Sequence, residues 1–190
     1  TGQDLKDFGK EVVELGDKLD GISVEGLLKS SEIAGQLGVK GTDNILKFST
    51  AIEKLKLTSD IISDEQVQDF AKFIEVSRDS FENADRLASV ITQLGNNFAT
   101  TEAQVLSNAT EIQKGISIYA ASAESVLGLG AATSALGSEA ESSRSAIMTT
   151  FRVIDKAVLS GKNLAEVLRL HGYTEKKLTD KYNKAPNGDF

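Results

Sequence analysis

From residue 1 to residue 185 the chain contains no proline; the one proline is Pro186. Nothing before it removes a backbone donor or forces a helix to break. Across that stretch the apolar residues recur at the three-and-four spacing of a helix face. Ile45, Phe48, Ile52 and Leu55 form one such stripe, Leu87, Val90, Ile91 and Leu94 another, and Ile147, Phe151, Ile154 and Val158 a third. Strand-like alternation is absent, and the β-branched residues fall on the helical stripes. The sequence therefore predicts an all-α fold.

Helix starts are legible as caps. Ser63 with Gln66 and Thr101 with Gln104 have capping-box spacing, and Asn163 with Glu166 comes close to it. Thr42, Asn83, Ser122 and Thr174 are further N-cap candidates. Glycines suggest stops at Gly38, Gly95, Gly137, Gly161 and Gly172. Together these signals predict about ten short helices packed as a compact helical domain, at 3–20, 24–37, 43–57, 64–76, 84–94, 102–120, 123–136, 144–159, 164–171 and 175–183. Leu-Gly recurs at Leu37-Gly38, Leu94-Gly95 and Leu136-Gly137, at unequal spacings. It is read as a repeated helix stop, with Leu packing and Gly adopting positive φ, not as a strict repeat array.

The first predicted helix carries its own pattern. Leu5, Phe8, Val12, Leu15, Leu19 and Ile22 are spaced alternately by three and four, an a/d heptad seam. They are the candidate assembly seam. The same stripe can also fold back on its own domain, since a core-facing helix uses such positions too. Two and a half heptads gain little burial alone, so a monomer or a weak, concentration-dependent oligomer is expected. The chain divides accordingly into an N-terminal amphipathic helix (1–22), a helical core (23–160) and a short closing helical segment (161–190). Within the core, residues 120–146 are unusual: 19 of the 27 are Ala, Ser, Gly or Thr. Such residues let helices approach closely. The expectation is a tight helix–helix contact inside the domain, with a deformable joint or a partner-docking face as the alternative.

Candidate chemistry is sparse. Cysteine is absent, which excludes disulfides and thiolate metal sites. His171 is the only histidine, too few for a zinc triad, and it sits near an expected helix end, where it faces water or the helix dipole. Asp17, Asp20 and Glu25 surround Gly21 but miss the EF-hand spacing, because Leu19 and Leu28 stand where ligands are needed. Gly128-Leu129-Gly130 follows no strand and has Thr133 at the sixth position, so it is not a dinucleotide fingerprint. Asn108-Ala109-Thr110 is a formal glycosylation sequon in mid-helix, read as chance. No catalytic residue, cofactor or metal is expected. The net charge of −7 disfavours polyanions such as nucleic acid. The longest charge-free run, 87–101, is too short and too polar to span a bilayer.

Three segments together resemble the core region of bacteriophage and prophage tail tape measure proteins. Residues 33–73 resemble a helix closing on Gln36-Leu37-Gly38, a second helix through Leu46-Lys47-Phe48, and a turn at Leu57-Thr58-Ser59-Asp60 before a third. Residues 84–112 contain the most specific element, GNNFATTEAQVL at 95–106. Residues 122–155 resemble a small-residue helix, a Leu-Gly stop, an acidic loop and an amphipathic helix. Residues 165–186 resemble the family's closing segment, though His171 and Tyr173 replace apolar residues there. The order of several moderate matches carries the likeness. It implies a piece of a longer structural protein that sets tail length during virion assembly and leaves the tube during genome ejection. The implied partners are the tail tube protein, tail assembly chaperones and tail tip or baseplate proteins, beside self-association. The implied places are the virion tail and, during assembly, the host bacterial cytoplasm. The resemblance also makes residues 1–22 the stub of a rod. A generic bacterial helical protein–protein interaction module is the alternative.

Overall fold

The computed structural model describes residues 2–119 and 121–160, with no side-chain account for residues 2–5, 158 and 160. The described chain is all-helical, with no strand. Eight α-helices follow in order: α1 (Gly2–Lys18), α2 (Val24–Gln36), α3 (Thr42–Thr58), α4 (Asp64–Val76), α5 (Ala84–Asn97), α6 (Glu102–Ile116), α7 (Ala123–Ala135) and α8 (Ala140–Ser160). Short 3-10 turns at Phe81–Asn83 and Ser117–Tyr119 lead into α5 and continue α6. These correspond to the first eight expected helices. The expected helices at 164–171 and 175–183, the caps Asn163 and Thr174, the stops Gly161 and Gly172, and His171 lie outside the described residues.

Caps set most of the boundaries. The Ser63 and Thr101 hydroxyls accept from the Gln66 and Gln104 amides, and both glutamine side chains return the bond to the cap backbone. Each exchange satisfies two of the backbone donors that a helix start leaves open. Ser23 and Ser122 cap α2 and α7 in the simpler way. Two cap expectations need correction. Thr42 is the first residue of α3, and Gly41, at φ 89°, occupies the cap position with no side-chain bond. Asn83 stands at the cap of α5 but turns its amide to the Asp79 carboxylate, 2.6 Å away.

The stops follow one geometry. At the end of α2 the Val39 amide donates to Ala34 and the Gly38 amide to Gly35, with Gly38 at φ 79°. At the end of α7, Ser138 donates to Thr133 and Gly137 to Ser134, with Gly137 at φ 76°. Both are Schellman motifs. A third closes α4, where Asp79 donates to Ile74 and Arg78 takes the left-handed position at φ 54° without being glycine. Gly95, expected as a stop, lies inside α5, which runs on to Asn97.

The main apolar core joins α2 to α8. Phe48, Phe70 and Phe73 are completely buried in it, Phe48 stacking on Phe70 at 6.1 Å and meeting Phe81 edge-on at 5.6 Å. Burial of each such ring contributes about 1.5–3 kcal/mol. α6 runs through the middle, burying Val105, Leu106, Ala109, Ile112 and Ile116 among α4, α5, α7 and α8. A second, smaller cluster stands apart: Val12, Ile22 and Leu27, flanked by Phe8, Leu15, Leu19, Val24 and Leu46.

Candidate functional site

The seam residues of α1 all face that smaller cluster wherever their side chains are described. Val12 and Ile22 are buried, and Phe8, Leu15 and Leu19 are half-buried against Val24 and Leu27 of α2 and Leu46 of α3. The Leu5 side chain lies outside the described residues. α1 ends at Lys18, not at residue 20, so Leu19 and Ile22 belong to the turn that reverses the chain. Gly21, at φ 80°, makes that reversal. Gly16 permits the closeness of the two helices, because a Cβ built there would stand 2.6 Å from Val24 Cγ2. The stripe thus folds back on its own domain and forms an α1–α2 hairpin.

Toward α3 the packing of α1 is open, with Leu15 and Leu46 at the edge of the same cluster. A hollow of about 530 Å³ separates Glu11, Glu14 and Lys18 from Asp43, Lys47 and Lys54 of α3, with Glu82 and Asp85 beyond. Most of its charges are tied to one another: Lys47 reaches Glu82 at 3.9 Å, Lys54 reaches Asp85 at 2.8 Å and Lys18 reaches Glu14 at 3.9 Å. With Leu15 and Leu46 in its lining and most of its charges paired, the hollow brings together no set of acid, base and nucleophile.

The small-residue stretch brings α7 into backbone contact with α6. Gly130 of α7 lies over α6, where a Cβ would sit 2.7 Å from the Val105 carbonyl oxygen and 2.8 Å from the Ala109 amide nitrogen. Beside it the buried Asn108 amide nitrogen donates toward Thr133 Oγ1 at 3.3 Å, the Ser138 carbonyl at 3.0 Å and Ser143 Oγ at 3.1 Å. That fan ties α6 to α7, to the following turn and to α8. The sequon reading of Asn108 missed this role; only its place on the α6 face toward the Ser- and Thr-rich stretch could have signalled it.

A second polar seam, between α2 and α3, was also not foreseen. Gly26, Ser30 and Ala34 recur every four residues, and small residues at that spacing bring the helices close. Ser31 Oγ meets Ser49 Oγ at 2.9 Å in the interior. Ser30 donates to Glu53, which also holds Lys56 at 2.9 Å. At the surface, Arg86 of α5 joins the Asp79 carboxylate at 3.1 Å to Glu124 of α7. Glu111 of α6 holds Lys114 and Arg144 of α8, and these cations, Lys114 first, lower its pKa below the ordinary carboxylate value against a smaller opposing effect of burial.

Among the described residues no three His, Cys, Asp or Glu side chains converge to hold a metal ion. No described helix is long and apolar enough to cross a membrane. The polar groups that the fold brings together link helices to one another. Comparison of the chain with protein-family profiles, with characterised proteins and with solved structures gives no match in any of the three.

Proposed function

We propose that this chain is a structural segment of a phage or prophage tail tape measure protein. In that role the parent protein sets tail length during assembly and leaves the tube during genome ejection. One observation supports the reading above the others. The three segments that resemble the family follow the helices in order: residues 33–73 run from the last turn of α2 through α3 into α4, 84–112 take in α5 and most of α6, and 122–155 take in α7 and most of α8. The helix stops and turns that the resemblance expects at Gly38 and Gly137 stand where it expects them.

The reading gives the described residues no catalytic step. It places the parent in the tail lumen, in contact with the tail tube protein and the tail tip or baseplate, and with tail assembly chaperones in the host cytoplasm beforehand. The physical basis of length setting is that a helix rises 1.5 Å per residue, so chain length converts into distance. Mass spectrometry of purified virions tests the assignment. Peptides from residues 23–160 are expected in intact particles and depleted in particles that have ejected their genome. Their absence from intact particles would favour the other class, a bacterial helical interaction module.

A further inference from the structure

We propose that α1 is a detachable arm whose seam pairs, in antiparallel two-fold fashion, with the α1 of a second copy of this chain. This goes beyond the tape measure reading and stands without it.

The first support is how α1 is held. Among the described residues its apolar contacts form a cluster separate from the main core, with α2, the turn at Leu19 and Ile22, and Leu46. The hollow along α3 opens against the same seam at Leu15 and Leu46. Docking leaves Phe8, Leu15 and Leu19 half-buried rather than enclosed, so the intramolecular shelf covers the seam incompletely. The joint at residues 19–23 turns at Gly21, the residue type that changes backbone region at least cost.

The second support is the pattern beside the seam. With Val12 at a and Phe8 and Leu15 at d, an antiparallel pair layers Val12 on Leu15 of the other copy and brings Phe8 beside Leu19, the first residue of the turn after α1. The same register sets Glu11 against Lys18 of the other copy, twice by symmetry, on one flank. On the other flank it sets Gly9 against Gly16. The charges are therefore self-complementary, as a two-fold interface requires. In the folded-back state Glu11 has no ion-pair partner among the described residues, and Lys18 only a long one within its own helix. Gly9 has nothing within 4 Å of a built Cβ. A glycine there weakens the helix without serving the domain's own packing. A second helix lying close against it gives the glycine a use.

The folded-back state competes as an intramolecular partner with an effective concentration on the order of millimolar. Pairing is therefore expected at high protein concentration. Sedimentation equilibrium of the whole chain, up to about 1 mM, should show a monomer–dimer equilibrium. Glu11→Lys should weaken the dimer about tenfold or more, and Glu11→Lys with Lys18→Glu should restore it. A strictly monomeric wild-type chain, or a charge swap that fails to restore pairing, would each overturn the proposal.

Discussion

Gly130 of α7 and Ala109 of α6 are in backbone-level contact: a Cβ built on Gly130 would stand 2.9 Å from the Ala109 Cβ. Gly128, two residues earlier on the same helix, has nothing within 4 Å of the same atom. Alanine should therefore act oppositely at the two sites. Gly130→Ala gains up to about 1 kcal/mol of helix propensity but overpacks the α6–α7 contact by about 1–3 kcal/mol, for a net loss. Gly128→Ala should gain up to about 1 kcal/mol. Urea midpoints for the two variants check the pair, and equal effects would show that the close approach is not rigid.

Asn108 should tolerate no acidic replacement. Its amide nitrogen faces three oxygens, and Ser143 is completely buried. Asn108→Ala leaves acceptors without a donor and should cost about 1–3 kcal/mol. Asn108→Asp, nearly the same size, puts a carboxylate against those oxygens and should cost more at neutral pH, with the difference shrinking in acid. Chemical unfolding at two pH values reads both variants.

Glu111 makes stability depend on pH in a defined direction. Its folded pKa lies below that of the unfolded chain because Lys114 and Arg144 favour the carboxylate. The stabilisation is fully present above the unfolded value of about 4.3, and is lost as pH falls through the lower folded value. Glu111→Gln should destabilise the fold near neutrality, and this difference should shrink as pH falls below the ordinary carboxylate value. A constant difference across the acid range would contradict the assignment.

α1 should unfold independently of the rest. Val12 is completely buried, yet in the small cluster alone. Val12→Asp should release α1 while leaving the main core folded. Hydrogen exchange should then show lost protection over residues 6–18 and retained protection in α3 and α6. Simultaneous loss in α6 would mean that α1 belongs to the main cooperative unit.

The parts legible in the sequence were those with a local cause. A capping box is a bond between side chain and backbone within four residues, so Ser63 and Thr101 were readable before any tertiary contact. The Schellman stops at Gly38 and Gly137 were readable because glycine advertises the left-handed position. Arg78 takes that position without glycine, so the equivalent stop after α4 carried no signal. Gly95 misled for the converse reason. Its missing side chain makes room for Glu102 from the next helix, a demand that arises only once α5 and α6 meet. Asn108, Ser31 with Ser49, and Glu53 with Ser30 are long-range pairings whose partners stand 18 to 35 residues apart, beyond any periodicity argument. For the seam, spacing identified the apolar face of α1 but not its partner; the reversal at Gly21 turns it onto α2.

The central claim is that the parent of this chain measures tail length, and tail length itself is the direct readout. An in-frame deletion in the parent's rod portion, outside the helical core, should shorten virion tails in electron micrographs by about 1.5 Å for each residue removed. Normally assembled virions whose tails keep their full length after such a deletion would contradict the account.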